Sequence, residues 1–266
     1  MWIDSHCHLN HENAGPSGTP ADLVARAKAA GVDGMLNIST MISGDFSTVL
    51  STAKAFDSVW CTIGTHPHDA SVESEKAITL EQIIETANAE DKIIGIGESG
   101  LDYFYNHSTH DDQEASFRKH IRACIATGLP LVVHARDADA DIIRVIRDEG
   151  GQKAGLKGVM HCFSSGPQLA QDALEEGFYI SFSGIVTFKK SKELQDIART
   201  VPLDRILVET DAPFLAPEPF RGRVNESAYV VHTGKYLSEL LNLDEKDIAS
   251  HSKNNFFTLF NKAKIA

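Results

Sequence analysis

The strongest constraint on this chain is an alternation that recurs eight times along it, a short apolar run followed by a helical pattern. The runs are Met1–His8, Gly34–Ile38, Val59–Ile63, Lys92–Glu98, Leu131–His134, Gly158–His161, Phe178–Phe182 and Arg205–Asp211. Each has the length and apolar content of a buried strand. Helical patterns separate them at Pro20–Ala30, Ser43–Ala55, Ala77–Ala89, Asp111–Thr127, Asp139–Glu149, Pro167–Glu176 and Ser191–Thr200, and the tail from Glu226 to Phe260 is mostly helical. In the third of these, Leu80, Ile83, Ile84 and Ala87 repeat at three and four, and Gly128 with Pro130 ends the fourth. Strands joined by helical crossovers must pair in parallel. Eight such units predict an α/β fold, a closed (β/α)8 TIM barrel with additional C-terminal helices. An open doubly wound sheet would carry a glycine-rich phosphate loop after its first strand. This chain has His6-Cys7-His8 there. With 266 residues and no linker-like or low-complexity stretch, residues 1–266 read as a single domain.

Composition narrows the function. The net charge is -12, which argues against tight non-specific binding to duplex nucleic acid, because that binding rests on basic surface. The cysteines Cys7, Cys61, Cys124 and Cys162 show neither a C-x-x-C spacing nor disulfide-scaffold density, as expected in a reducing compartment. The first strand begins at once, no apolar run approaches the ~18 residues of a membrane span, and the chain reads as cytoplasmic with no membrane contact and no obligate protein partner.

The polar residues that end the strands carry the chemistry. Side chains in a strand alternate, so His6 and His8 share one side and Cys7 takes the other. Glu98 ends the fourth strand, His134 the fifth, His161 the sixth and Asp211 the eighth. A barrel brings those ends to one face, where active sites form. Six residues of metal-ligating type exceed one tetrahedral site, which points to two divalent ions bridged by a carboxylate. Glu98 is the acid placed to bridge. His6, His8 and Asp211 would serve one ion, and His134 and His161 the other. Such a pair activates water for hydrolysis, with Asp211 as general base. Four imidazoles favour zinc, manganese, cobalt or nickel as the bound ion.

His6-Cys7-His8, Gly64-Thr65-His66-Pro67-His68, Gly97-Glu98-Ser99-Gly100-Leu101-Asp102, His134-Ala135-Arg136, His161-Cys162-Phe163-Ser164 and Glu209-Thr210-Asp211-Ala212-Pro213 resemble the TatD family of metal-dependent deoxyribonucleases, which belong to the wider amidohydrolase-like barrels. The resemblance spans Trp2 to the C-terminal helices. It implies a magnesium- or manganese-dependent phosphodiesterase trimming single-stranded DNA, or RNA, from an end. It also implies metal roles for His6, His8, Glu98, His134, His161 and Asp211, and a catalytic place for His66 near the scissile phosphate.

By the same resemblance Arg136 matches a phosphate contact, with an exposed ion pair to Asp137 or Asp139 as its alternative. Tyr103 and Phe104 would stack on a base, since stacking suits unpaired strands, or pack a lid. Arg221, Arg223 and Asn225 match a family run of the form Arg-Gly-Lys/Arg-x-Asn-Glu-Pro, and Lys189, Lys190 and Lys192 form a small basic cluster. Three departures stand out: Ser227 in place of that proline, Ser165-Gly166 where the family has glycine directly, and Ser99 beside Glu98 in place of an apolar residue. Two other substrates suit a binuclear site, a small cyclic amide or ester and the aminoacyl ester of a transfer RNA. The barrels that open cyclic amides often bridge their ions with a carbamylated lysine, and no lysine ends the fourth or fifth strand here.

Overall fold

The computed structural model describes residues 1–264. Its strands are β1 (Trp2–Cys7), β2 (Val32–Asn37), β3 (Val59–Ile63), β4 (Ile93–Asp102), β5 (Leu131–Arg136), β6 (Gly158–Met160), β7 (Tyr179–Phe182) and β8 (Ile206–Val208). They form one eight-stranded sheet in chain order, and each neighbouring pair is parallel. The helices are α1 (Pro20–Ala29), α2 (Phe46–Ala55), α3 (Glu73–Lys76), α4 (Leu80–Ala89), α5 (His110–Thr127), α6 (Asp139–Asp148), α7 (Pro167–Glu175), α8 (Lys192–Thr200), α9 (Val230–Leu241) and α10 (Glu245–Leu259). The architecture is the TIM barrel with C-terminal helices.

Local chemistry sets several boundaries. Thr19 with Asp22, and Thr79 with Gln82, close reciprocal caps that start α1 and α4. The expected helix Ala77–Ala89 therefore begins at Leu80, and a separate turn, α3, precedes it. The expected helix Ser43–Ala55 begins at Phe46, because Asp45 spends its carboxylate on Ser39, Thr40 and the Met41 N–H. β4 departs most from expectation. It runs on past Glu98 to Asp102, through a stretch that reads as a loop from sequence.

Every strand gives one buried residue to a cluster that includes Ile3, Leu36, Trp60, Ile94, Val132, Val159, Tyr179 and Leu207. One position from each strand of a closed sheet is the barrel interior. All of these but Leu36 lie near the strand starts, and Phe256 and Leu259 of α10, with Phe260 just after it, pack into the same cluster. The last helix thus covers the end of the barrel opposite the strand C-termini. The larger cluster, including Phe117, Ile121, Ile142 and Ile146, packs the outer helices on the sheet. No helix of the described residues is long and apolar enough to cross a membrane.

The seam between β8 and β1 is held by polar bonds. The Asp211 N–H donates to the His6 carbonyl at 3.0 Å, and the His8 N–H to the Ala212 carbonyl at 2.8 Å. Buried Asp4 accepts from the Thr210 N–H and hydroxyl at 2.9 and 2.6 Å, and the Ser5 hydroxyl donates to the Val208 carbonyl at 2.9 Å. These bonds fix Asp211, which lies past the end of β8, beside the two histidines of β1.

Candidate metal centre

Glu98 sits within β4 and is 2% exposed. Its Oε1 faces His161 Nε2 at 2.7 Å, His134 Nδ1 at 2.9 Å and His66 Nε2 at 3.4 Å. Its Oε2 faces His6 Nε2 at 3.3 Å and His8 Nε2 at 4.0 Å. Asp211 Oδ1 lies 3.4 Å from His8 Nε2 and 3.7 Å from His6 Nε2. All six residues expected as metal ligands therefore meet, from five strands, with Glu98 in the middle. Cys7 turns the other way and points its thiol at the Leu36 carbonyl, as the strand period requires.

Glycines make this approach possible. A Cβ on Gly64 would sit 2.3 Å from the Gly97 carbonyl carbon, so β3 and β4 close up where His66 and Glu98 emerge. A Cβ on Gly100, whose φ is +154°, would sit 1.9 Å from the His134 carbonyl oxygen, so β4 lies tight against β5. No side chain can occupy either place.

The donor set fits divalent cations. His6 Nε2 and His8 Nε2 face each other at 3.2 Å, and His66 Nε2 and His134 Nδ1 at 3.3 Å. Two imidazole lone pairs aimed together repel unless a proton or a cation lies between them. Three groups of ligating atoms lie within 4.8 Å of one another: His6, His8 and Glu98; His66, Glu98 and His134; and His6, His161 and Asp211. Imidazole and carboxylate in these numbers suit zinc, manganese, cobalt or nickel. His66, expected near the scissile phosphate, stands here as a further nitrogen donor beside Glu98 and His134. His161 faces both sides, with its ring stacked 3.9 Å from that of His6.

Electrostatics follow from that crowding. Burial pushes the Glu98 carboxyl up, but His161, His66 and the hydrogen bond from His134 overcome it and hold the group well below the usual range. Burial pushes His161 down, yet Glu98 and Glu209 hold it well above the ordinary imidazole value. His8 is likewise raised against burial by Asp211, and Asp211 is lowered against burial by His8. His66 falls to about 4 because burial outweighs Glu98. His6 is lowered by burial and by the charge on His161. His6 and His66 thus offer neutral nitrogens near pH 7, the form that ligates metals.

Three residues bear on this centre that sequence reasoning left without a role. Asp102 is fully buried. Its Oδ2 accepts from His134 Nε2 at 3.1 Å and from His68 Nε2 at 2.9 Å, while its Oδ1 takes the Phe104 and Tyr105 N–H groups at 3.1 and 2.8 Å. Burial raises this carboxyl, and the His134, Tyr105 and His68 bonds together bring it far below its ordinary value. A carboxylate behind a ligating histidine sets its tautomer and direction. Glu209, also fully buried, holds the Cys162 N–H at 2.7 Å and stands 3.4 Å from His161 Nδ1. Asp102, Glu209 and His68 all fall inside the quoted family motifs, which was the available signal.

The expected substrate contacts divide. Arg136 is exposed at the end of β5, and Arg221 lies over the Phe188 ring at 4.3 Å. Tyr103 takes the second of its two expected places: its ring stacks on His110 at 3.8 Å and its hydroxyl donates to Asp141 at 3.1 Å, so it packs within the loop. Asn225, expected as a substrate contact, is 1% exposed, donates its amide to the Thr210 and Phe214 carbonyls and accepts the Glu226 N–H, which ties down the loop after β8.

A (β/α)8 barrel whose strand C-termini gather five imidazoles around one buried carboxylate defines a class of metal-binding barrels. Comparison places the chain within it. The TatD related DNase family model matches residues 3–261, and the chain belongs to that family. It is 38% identical, over 97% of this chain and 98% of the relative, to the uncharacterized metal-dependent hydrolase BU355 of Buchnera aphidicola. It is 33% identical, over 90% of this chain and 92% of the relative, to the 3'-5' ssDNA/RNA exonuclease TatD of Escherichia fergusonii. The solved structure of the TatD homolog YJJV from Escherichia coli superposes with a TM-score of 0.88 at 26% identity, covering 98% of each chain.

Proposed function

We propose that this protein is a divalent-metal-dependent hydrolase that cleaves phosphodiester bonds, a deoxyribonuclease acting on the end of single-stranded DNA, with RNA as a related substrate. The observation that carries the reading is the convergence of His6, His8, His66, His134, His161 and Asp211 on the buried Glu98. Glu98, these imidazoles and Asp211 would hold two divalent ions, which when bound would supply positive charge to a phosphodiester and acidify an attacking water. Asp211 is held ionised by His8 and has 14% of its side chain exposed, so it can take the proton of that water. Asp102 holds His134 and His68 in place throughout. The relative named as a single-strand exonuclease supports the substrate class.

The competing substrates are a small cyclic amide or ester and an aminoacyl ester on transfer RNA. A panel with manganese-loaded protein decides among them. We expect progressive shortening of a single-stranded oligodeoxynucleotide and no turnover of dihydroorotate or of an aminoacylated transfer RNA. Turnover of either of the latter with an intact oligonucleotide would reverse the assignment.

A further inference from the structure

The arginines of this chain fall into two groups. Those on the flanks, Arg26, Arg118, Arg122, Arg144, Arg147, Arg199 and Arg205, each hold a carboxylate. Arg136, Arg221 and Arg223 form no ion pair among the described residues, although the net charge is -12. Arg136 ends β5, Arg221 and Arg223 lie in the loop after β8, and each lies over an aromatic ring. A guanidinium without a carboxylate in so acidic a chain is free to take an anion from elsewhere.

Arg136 is the one attached to the metal centre, two residues past His134 along β5. Its guanidinium lies 4.2 Å from the Phe104 ring centroid and 4.6 Å from that of Tyr105. Phe104 is 54% exposed and Tyr105 49% exposed. The two rings pack edge to face at 4.9 Å and so leave one contiguous apolar patch open on the surface, the kind of feature that marks a binding face. They are continuous with the site: His66 packs on His68 at 4.3 Å, and His68 on Tyr105 at 5.3 Å. Nor are they on a loose loop. Their N–H groups bond to Asp102 Oδ1, and the other oxygen of that carboxylate holds His134 and His68.

We infer that Phe104, Tyr105 and Arg136 form a subsite for an unpaired nucleobase next to the scissile phosphate. The inference rests on the nuclease reading above. The base stacks on the open Phe104 face, Tyr105 walls its edge, and Arg136 takes the adjoining phosphate while its plane stays against the rings. A base lodged on Phe104 with Tyr105 at its edge must leave its pairing partner and its neighbours, which costs more from a duplex than from a single strand, so this subsite selects single strands. Asp102 then couples substrate placement to the metal centre through its two oxygens.

The test compares a single-stranded decadeoxynucleotide with bis(p-nitrophenyl) phosphate, a small diester with no nucleobase, on the manganese-loaded full chain. For F104A/Y105A we expect KM for the oligonucleotide to rise about tenfold. The ratio of kcat/KM for the oligonucleotide to that for the small diester should fall by a similar factor. Phe104→Trp, which keeps a stacking face, should hold that ratio within about twofold of wild type. With a 2-aminopurine oligonucleotide and chelator present, wild-type protein should quench the fluorescence on binding and F104A/Y105A should not. An unchanged ratio in F104A/Y105A, equal losses on both substrates, or no quenching by wild type would overturn the subsite. Hydrolysis of the small diester by wild type with no attack on the oligonucleotide would remove the nuclease reading itself.

Discussion

Replacing Asp102 by asparagine isolates the carboxylate behind the proposed metal centre. Asp102 Oδ1 accepts two backbone N–H groups, from Phe104 and Tyr105, so the asparagine oxygen must stay on that side. The new NH2 group then faces His134 Nε2 and His68 Nε2, which lie 3.1 and 2.9 Å from Oδ2 in the native protein. An amide nitrogen can only donate. His134 must give up its Nε2 proton and carry it on Nδ1, the nitrogen turned to Glu98 at 2.9 Å. That nitrogen loses its lone pair for ligation. Disturbing a carboxylate–histidine pair of this kind costs about 10–100-fold in metal affinity, or about 1.4–2.8 kcal/mol. The substitution keeps the shape but turns an NH2 group toward two imidazole nitrogens in a buried network, so fold stability should also fall, by about 1–3 kcal/mol. Calorimetric titration of the metal-free protein with manganese, beside a thermal melt, reads both quantities. A manganese Kd within twofold of wild type would refute the tautomer argument.

Two further perturbations probe the same geometry from other directions. His161 and His134 are raised above the ordinary imidazole value, His161 by Glu98 against the effect of burial and His134 by its bonds to Asp102 and Glu98. The stability they give the metal-free chain is complete below about pH 6.5 and is lost as pH rises through their folded values. Ligation needs these nitrogens unprotonated. The Tm of chelator-treated protein should therefore fall between about pH 6 and about pH 9, while the rise produced by manganese grows; an equal manganese shift at both ends would refute the assignment. Gly100→Ala drives a methyl into the His134 carbonyl at a φ of +154° and should destabilise the fold by about 3 kcal/mol, read by urea unfolding. A loss under about 0.5 kcal/mol would show that β4 and β5 can separate.

The parts of the site that a strand period determines were legible in the chain. His6 and His8 share a side because they are two apart, and their nitrogens lie 3.2 Å from each other. Glu98, His134, His161 and Asp211 could be found because each ends or follows an apolar run, and a barrel gathers such ends. What depends on strand length was hidden. Gly97 and Gly100 look like the end of β4, so the strand seemed to stop at Glu98, and Asp102 fell in an aromatic loop. In the structure those glycines let β4 press against its neighbours and continue, and Asp102 ends up behind His134. What depends on side-chain direction was hidden too. Tyr103 turns inward to His110 and Asp141 while Phe104 and Tyr105 stay exposed, and Asn225 spends its amide on backbone carbonyls. The place of His66 beside Glu98 and His134 rests on the closeness of Gly64 and Gly97.

The most direct test of the central claim is digestion of an end-labelled single-stranded oligodeoxynucleotide by wild type and Glu98→Ala, each loaded with manganese and read on a denaturing gel. Removing Glu98 takes away the carboxylate on which both sets of imidazoles converge. We expect a ladder of single-nucleotide steps with wild type and an intact strand with folded Glu98→Ala. Cleavage by Glu98→Ala within tenfold of wild type, or an intact strand with both, would contradict it.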